Sequence, residues 1–334
     1  MSEFAQKIIE WQREEGRHDL PWQNTRDPYA VWLSEIMLQQ TQVNTVIPYY
    51  HRFLKHFPTI AALAAASDDA VMAQWAGLGY YTRARNLHKA AKKIVSEHRG
   101  KFPQHFDAIM ALPGIGRSTA AAISAFCFGT QTAILDGNVK RVLARYLGVE
   151  GYPGEKKTET LMWLEADALL PPKNVDVYTQ GLMDLGATLC TRSQPDCLHC
   201  PLQKECIAYR DDRTAELPHR KQKKITPEKN VVMLIFIKDH RVLLEKRPPS
   251  GIWGGLWSLP EVALGQDISD LCLRHGVIVT PLPQLELAAR GRSLEVRFPG
   301  RWLREHPLTV ADLTREVDLL NDADFRLKIF SRRA

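Results

Sequence analysis

Two carboxyl side chains in this sequence stand in surroundings that suit proton transfer. Glu35 falls within a helix that we predict over 29–42. Val31 and Trp32 lie one turn before it, and Leu38 lies one turn after it. Apolar neighbours remove water from a carboxyl group, which favours its neutral form and raises its pKa, so Glu35 could act as a general acid near neutral pH. The alternative is a glutamate at a helix interface that pairs with an arginine.

The second carboxyl, Asp136, follows an apolar strip over 133–135 and precedes a helix that we predict to begin near Gly137. Aspartate is a preferred residue at helix N-termini, so an N-cap is one interpretation. A catalytic carboxylate is the other. The two roles are compatible.

Between these carboxyls the chain carries a glycine hairpin over 112–120, with the sequence Leu-Pro-Gly-Ile-Gly-Arg-Ser-Thr-Ala. A short helix is predicted over 107–111 and a packed helix over 119–128. Gly114 and Gly116 permit positive φ and a close approach of the backbone to a partner.

A hairpin that leads into a helix presents unpaired N–H groups and the positive end of the helix dipole. With Arg117 and Lys140 close by in sequence, this arrangement predicts a cradle for phosphate. An ordinary tight turn between two packed helices is the alternative.

Four of the six cysteines cluster with the spacing Cys-x6-Cys-x2-Cys-x5-Cys, at Cys190, Cys197, Cys200 and Cys206. Four thiolates so close in sequence can surround one metal centre. Disulfides are disfavoured if the protein is intracellular, where thiols stay reduced. A structural zinc site and an iron–sulfur cluster both remain open at this point.

The composition fits a folded protein with a polyanionic partner. The chain has 334 residues, 45% of them hydrophobic, which is enough for two or three domains with apolar cores. Its net charge of +6 suits a polyanion but is too small to establish one. We find no apolar run of membrane-spanning length and no signal peptide, so we expect a cytoplasmic protein.

The hairpin, the segment 32–42 around Glu35 and the four-cysteine loop together resemble the endonuclease III superfamily of DNA repair glycosylases. The resemblance covers residues 1 to about 260 and is greatest to the MutY-type adenine glycosylases. It implies a mainly α fold, in which a two-lobed helical helix-hairpin-helix glycosylase domain with an iron–sulfur cluster loop precedes a smaller, truncated α/β Nudix-like domain. We expect these domains at 1–208 and 230–334, joined by a basic linker over 209–229.

The resemblance also assigns roles to the two carboxyls. Glu35 matches the glutamate that protonates the adenine base, and Asp136 matches the carboxylate that stabilises the sugar cation as the base departs. With Glu35 protonated and Asp136 ionised, the pair has the general form of a glycosidase site. Asn138 is expected to help hold the two catalytic carboxyls in place without being a catalytic residue itself.

Further matched residues are expected to contact DNA or the extruded adenine. Gln40 would enter the gap that the adenine leaves, and Tyr80 would wedge beside the damaged guanine opposite. Trp22 and Gln180 would line the adenine pocket. Simpler interpretations are a solvated helix end for Gln40, an aromatic staple for Tyr80, a core tryptophan for Trp22 and a surface glutamine for Gln180.

Ser118 indicates the subclass. Bifunctional members of the superfamily carry a lysine at this place, whose amine forms a Schiff base with the sugar. Serine cannot do so, and we therefore expect hydrolysis without strand cleavage. The cysteine spacing matches the superfamily loop, which implies a [4Fe–4S] cluster rather than zinc.

The resemblance to the Nudix-like domain rests on 247–260 and weakens after about residue 285. No acidic Nudix hydrolase motif is present, so we predict no pyrophosphatase site. The Phe-Ser-His type segment that contacts the oxidised guanine in the family is absent from 287–296. We therefore expect weaker preference for 8-oxoguanine over guanine than intact relatives have.

The expected function is a monomeric, monofunctional DNA glycosylase that removes adenine mispaired with 8-oxoguanine or guanine in double-stranded DNA. Two alternatives differ in class. One is a bifunctional endonuclease III-like lyase, against which Ser118 counts. The other is a non-catalytic, cluster-bearing DNA-binding protein, against which Glu35 and Asp136 count.

Overall fold

The protein was analysed as a computed structural model that describes residue 1 to residue 221 without a gap. Beyond that point it describes shorter segments, namely 231–234, 237–238, 241–248, 251, 254–263, 265–269, 271–272, 286–290, 293–298 and 328–331. By the density of contacts along the chain, the protein divides into two units. One comprises Met1–Ala66 and Asn86–Lys224, and the other comprises Ser67–Arg85 and Ile225–Ala334.

Helices dominate the described residues up to 221. They are α1 Glu3–Glu15, α2 Pro28–Leu38, α3 Val43–His56, α4 Ile60–Ala65, α5 Asp68–Trp75, α6 Thr82–Glu97, α7 Phe106–Met110, α8 Arg117–Phe128, α9 Gly137–Tyr146, α10 Lys156–Ala168, α11 Val175–Thr188 and α12 Ile207–Arg210. Of these, α5 and the first residues of α6 belong to the second unit.

Helix α2 is apolar on nearly all sides, which is the pattern of a helix enclosed by others. The side chain of Asp27 caps it by accepting a hydrogen bond from the N–H of Tyr29, and Pro28 occupies the first helical position. It packs against α3 and α8. A charged residue on such a helix has few routes to water.

The helices around the glycine hairpin are close to prediction. Observed α7 and α8 lie within two residues of the predicted bounds at each end, and α9 begins at Gly137 as expected. Gly129, with φ 65°, ends α8 in the left-handed conformation that glycine adopts without strain. The hairpin is thus held between two defined helices.

The core of the first unit forms where α1 and α9 pack against α11, and two glycines of α11 permit the close approach. A Cβ on Gly181 would lie 2.8 Å from Ile8 Cγ2, and a Cβ on Gly186 would lie 2.6 Å from the Cβ of Asn138. Any larger residue would push the helices apart. The position of α9, and of Asp136 before it, therefore depends on Gly186, and that of α1 depends on Gly181.

Short strands make up most of what is described after residue 230. They are β1 Val231–Met233, β2 Ile237–Lys238, β3 Arg241–Val242, β4 Glu245–Lys246, β5 Trp257–Ser258, β6 Glu261–Ala263, β7 Glu286–Arg290, β8 Ser293–Phe298 and β9 Lys328–Ser331. Antiparallel pairs are β1–β6, β2–β3, β4–β5 and β7–β8, and β9 pairs parallel to β8. In the β2–β3 pair, Ile237 lies opposite Val242 and Lys238 opposite Arg241.

The mainly helical fold followed by a strand-rich region is confirmed. One helix is shorter than predicted, because α2 ends at Leu38 rather than continuing to Gln42. Gln39 leaves the helical region, and Gln40 has φ 57°. Within the predicted linker, Leu217 is buried, so the first part of that segment packs on the helical unit. No helix in the described part of the chain is both long and apolar enough to cross a membrane.

Candidate active site

Glu35 lies near the C-terminal end of α2 and keeps only a minor part of its surface accessible. Burial and, to a smaller extent, the nearby negative charge of Asp136 together raise the pKa of its carboxyl group to about 8. The group is therefore mainly protonated at neutral pH. This is the direction that the sequence predicted.

Asp136 is the N-cap of α9, and its Oδ1 accepts a hydrogen bond of 2.8 Å from the N–H of Val139. Burial raises its pKa, while the backbone N–H groups of Val139 and Asn138 and the charges of Arg141 and Lys140 act in the opposite direction. The capping interpretation is observed. Burial is the largest of these effects, so the pKa of Asp136 lies above its ordinary value. The ionised state that we predicted for this carboxyl stays a prediction.

The glycine hairpin has two different glycines. Gly114 has φ 80°, and a Cβ there would lie 2.6 Å from the Cβ of Asn86, so both its conformation and its surroundings require glycine. Gly116 does not adopt the positive φ that glycine permits; at φ −94° it serves as the N-cap of α8. A Cβ on Gly116 would meet nothing within 4 Å. The backbone at the start of α8 is thus open to a partner.

Ser118 lies in the first turn of α8, and its Oγ accepts a hydrogen bond of 3.0 Å from the N–H of Leu135. The next residue is Thr119. Its Oγ1 lies 3.4 Å from Nε2 of Gln39, which directly follows α2 as its C-cap. The hairpin helix therefore contacts the segments that carry both Glu35 and Asp136.

The two basic residues assigned to the phosphate cradle are both engaged with α10. Arg117 forms an ion pair of 2.9 Å with Asp167 and stacks on the ring of Trp163, 3.8 Å from its centroid. Lys140 forms an ion pair of 2.5 Å with Glu159. A phosphate group would have to compete with these carboxylates.

Gln40 is exposed and has a left-handed backbone, which is unusual and strained for a residue other than glycine. Tyr80, in the second unit, has the same two properties, with φ 50° and 52% of its surface exposed. The guanidinium of Arg83 lies 5.3 Å from the centroid of the Tyr80 ring and donates hydrogen bonds to the carbonyls of Leu78 and Gly79. Both predicted wedge residues are thus presented to solvent by a strained backbone.

Trp22 is buried, and its ring meets that of Tyr50 edge-on at 5.4 Å, so the core interpretation holds for this side chain. Asn138 accepts a hydrogen bond from Arg141, which also donates to the carbonyls of Gly186 and Cys190. Asn138 is therefore linked to the cysteine loop as well as to Asp136, two residues before it.

Gln180 donates a hydrogen bond of 2.9 Å from Nε2 to Oδ1 of Asp184. Asp184 is completely buried and also pairs with Arg17, which reaches it with its backbone N–H and its guanidinium. The carboxylate of Asp184 can only accept, so this contact orients the Gln180 amide with its NH₂ group toward Asp184. Sequence reasoning missed Arg17 and Asp184, since the two lie 167 residues apart.

All four clustered cysteines line one cavity, together with Arg145, Tyr209 and neighbouring residues of the loop. Their thiols are free. Buried Arg145 lies with its Nη1 3.3 Å from Sγ of Cys190 and donates to the carbonyls of Thr191 and Leu217. Among the residues that the structure describes, no group of three or more His, Cys, Asp or Glu side chains is arranged to hold a single metal ion. The thiols surround a shared space instead.

In the second unit, the described part of the segment 247–260 is anchored by an ion pair of 2.7 Å between Arg247 and Glu261. Trp257 remains 49% exposed, with Lys246 over its ring. Arg85 donates a hydrogen bond to the carbonyl of Gly254, which ties the 67–85 segment to the strand-rich region of the same unit. Sequence reasoning did not anticipate this connection.

Comparison with known proteins matches both parts of the chain. Residues 33–166 match the family model described as HhH-GPD superfamily base excision DNA repair protein, and residues 231–306 match that of the NUDIX domain. The latter match continues past residue 285, where we expected the likeness to weaken. The adenine DNA glycosylase of Buchnera aphidicola subsp. Baizongia pistaciae (strain Bp) is 43% identical over 266 residues, which are 79% of this chain and 75% of that protein.

Solved structures agree with the helical part. A thermostable thymine-DNA glycosylase has a TM-score of 0.57 at 29% identity and covers 62% of this chain and 95% of its own. Endonuclease III in a non-covalent complex with DNA has a TM-score of 0.53 at 21% identity, over 63% of this chain and 94% of its own, which supports the fold alone. The two family matches, the helical fold and the extent of sequence identity lead to one conclusion: the chain belongs to the adenine DNA glycosylase family of the HhH-GPD superfamily.

Proposed function

We propose that this protein removes adenine from mispairs in double-stranded DNA by hydrolysing the bond between the base and its sugar. The observation that carries the proposal is the pairing of a carboxyl whose pKa is raised to about 8 with a second carboxyl near enough to influence it. Both lie on segments that contact the first turn of the hairpin helix. Membership of the adenine DNA glycosylase family supports adenine as the base.

In this proposal Glu35 is the general acid. It donates its proton to a ring nitrogen of adenine, so the base leaves as a neutral molecule with the electron pair of the glycosidic bond. Asp136 stabilises the positive charge that develops on the sugar, and water then adds to the anomeric carbon and loses a proton. The atoms balance as adenine plus an abasic site.

The adenine must leave the base stack before Glu35 can reach it. The open backbone at Gly116 and the N-terminus of α8 supply N–H groups for a phosphate of the distorted strand. Exposed Gln40 and Tyr80 are suited to fill space within an opened stack, and Gln180 is suited to the adenine pocket. Opposite the adenine we propose 8-oxoguanine or guanine.

Ser118 supports a monofunctional reaction. Its hydroxyl is occupied as the acceptor for the Leu135 N–H, and it is no amine, so it cannot form a Schiff base with the sugar. We propose that the product is an intact strand with an abasic site.

The four cysteines fit a [4Fe–4S] cluster as a donor set, because four free thiols line one cavity and buried Arg145 places a positive charge beside Cys190. Cys190, Cys197, Cys200 and Cys206 would hold it. A cluster bound here would contribute binding free energy to the folding of the loop.

The test is a single-turnover assay on duplexes that contain adenine opposite 8-oxoguanine, guanine or thymine. We expect adenine release from the first two and little from the third. Glu35→Gln and Asp136→Asn should each lower the rate by about 10²-fold or more while DNA affinity is kept, because one removes the proton and the other removes the negative charge. Near-normal release by Glu35→Gln would exclude Glu35 as the acid. No release by the parent protein from any duplex would refute the proposed function.

A further inference from the structure

We infer that the first turn of α8 holds the two reacting carboxyls at their working separation, with Ser118 as a positioning residue for Asp136 and Thr119 for the segment that follows Glu35. The inference rests on the proposed function. In this inference, the helix that follows the glycine hairpin has two functions. It contacts DNA, and it also aligns Glu35 with Asp136.

The contact to the Asp136 side is well defined. Ser118 Oγ accepts the Leu135 N–H at 3.0 Å, and Leu135 directly precedes Asp136. On its other side, Asp136 accepts the N–H of Val139 at 2.8 Å. Asp136 is therefore fixed in the chain between two hydrogen bonds, one to α8 and one to α9. Loss of the Ser118 hydroxyl would leave Asp136 held from the α9 side alone.

The contact to the Glu35 side is longer. Thr119 Oγ1 lies 3.4 Å from Nε2 of Gln39. Gln39 is four residues after Glu35 and is the C-cap of α2. Packing of α2 against α8 brings the same two elements together independently of this bond. The residue after Gln39 is Gln40, whose left-handed backbone turns the chain away from the helix. Thr119 thus contacts the chain between Glu35, the proposed acid, and Gln40, the proposed wedge residue.

Adjacent positions on one helical turn form a nearly rigid unit. Because Ser118 and Thr119 are neighbours, the two contacted segments keep a fixed spacing as long as both hydroxyls are present. Reaction rates are sensitive to such spacing, and displacement by about 1 Å can lower a rate by about 10²-fold. Positive φ is required at Gly114 and an open backbone is present at Gly116 just before this turn. Binding of DNA at the hairpin therefore acts on the same helix that aligns the carboxyls.

The experiment compares Ser118→Ala with Ser118→Thr, which retains a hydroxyl at the same position. Single-turnover release of adenine opposite 8-oxoguanine gives the chemical rate, and binding to a duplex with a stable abasic analogue in place of the adenosine gives the affinity. We expect Ser118→Ala to slow release about 10- to 100-fold while affinity changes less than about threefold. Ser118→Thr should restore most of the rate.

Thr132→Val is the matched control, because Thr132, four residues before Asp136, also bonds to α8 through its Oγ1, but at the carbonyl of Ala121 in the second turn and not at the first turn. It should retain the parent rate. Thr119→Val and Thr119→Ser form a second pair with the same expected pattern, and thermal unfolding of each variant establishes that it is folded.

A parent-like rate in folded Ser118→Ala would overturn the inference. So would an equal loss in Thr132→Val, which would indicate general packing of α8, or a loss of affinity as large as the loss of rate, which would assign Ser118 to DNA binding alone. If the parent releases no adenine, the proposed function fails and this inference fails with it. If the parent is active and only the Ser118 effect is missing, the proposed function stands.

Discussion

Burial of Glu35, the proposed general acid, lowers the stability of the folded protein at neutral pH. Its pKa is about 8 in the folded protein and near 4.5 when the chain is unfolded, so the folded state binds more protons between these values. The free energy of unfolding therefore falls as pH rises from about 4.5 to about 8 and then levels off. The same shift should make adenine release decline as pH rises past about 8, because the acid loses its proton.

We predict that Glu35→Gln raises the free energy of unfolding while it slows adenine release. The gain should be on the order of 3 kcal/mol at pH 7 and should vanish below about pH 4.5, since the amide has no ionised form to bury. Chemical unfolding of both proteins across this pH range measures it. Glu14→Gln, an exposed change on α1, is the control and should show no such trend. An unchanged difference between pH 4 and pH 9 would contradict the assigned pKa.

A second prediction at this scale concerns Ser118→Lys. A lysine amine at this position can form a Schiff base with the sugar, so borohydride should trap a covalent protein–DNA adduct in the variant and not in the parent. The substitution also removes the acceptor for the Leu135 N–H, so adenine release itself should slow. Efficient trapping by the parent would mean that another amine serves and that the monofunctional assignment is wrong.

The residues also differ in how far sequence could predict them. The raised pKa of Glu35 was predictable, because its apolar neighbours lie one turn away on the same helix. The contact of Ser118 was not, since its partner is a backbone N–H that no residue type signals. Arg17 and Asp184 illustrate the general limit: neither stands in a local pattern, and only the packing of α1 on α11 brings them together.

Among the elements, the cysteine loop was predicted from the spacing of its cysteines, but the contacts of Arg145 that hold the loop in place were not predicted. Arg145 of α9 donates to three backbone carbonyls, those of Thr191, Arg192 and Leu217, and lies against the sulfur of Cys190. It therefore links the loop to the helix that begins at Asp136. The ends of helices were less predictable than the helices themselves. In α2, the polar residues after Leu38 are compatible with a longer helix, so the sequence gives no sign of the left-handed backbone at Gln40.

For this loop we predict bound iron. The purified protein should be yellow-brown and contain roughly four irons per chain, as Cys₄ ligation of a cubane cluster requires. Cys197→Ser should lower iron content and soluble yield more than it lowers activity per folded molecule. Cys272→Ala, which changes a free cysteine outside the loop, should leave iron content unchanged. A colourless protein with one zinc per chain after anaerobic purification would favour the structural zinc site.

At the scale of the whole molecule, we expect catalysis and recognition of the opposite base to depend on different parts of the chain. The carboxyls, the hairpin and the cysteines all precede residue 210. The segment 287–296, where the family's Phe-Ser-His type sequence is absent, forms much of the antiparallel pair β7–β8 in the described backbone. Domain limits at 208 and 230 remain predictions. The inclusion of Ser67–Arg85 in the second unit could not be foreseen, because it depends on contacts more than 160 residues apart.

We predict that this protein releases adenine but discriminates 8-oxoguanine from guanine less than a version with a restored Phe-Ser-His segment. Each polar contact to a base edge contributes about 1–3 kcal/mol of discrimination, whereas the proposed stacking of Tyr80 and gap filling by Gln40 would depend little on the identity of the base. Single-turnover rates and affinities for the two mispairs measure the effect, with an Ala-Ser-Ala segment at the same place as the control. Equal discrimination by the parent and the restored version would show that the segment is irrelevant.

The ion pairs between the hairpin region and α10 have a consequence for how binding depends on salt. A cation that contacts DNA releases counterions from it, with a slope of about 0.9 in log affinity against log salt for each phosphate neutralised. To contact a phosphate, Arg117 and Lys140 would have to leave Asp167 and Glu159. We expect each freed carboxylate to attract cations from solution. The two effects oppose each other, so these residues should contribute little to the observed slope. Asp167→Asn should steepen the slope and tighten binding at low salt, whereas Glu10→Gln on α1 should change neither. In this protein, α10 would set the ionic strength over which the hairpin holds DNA.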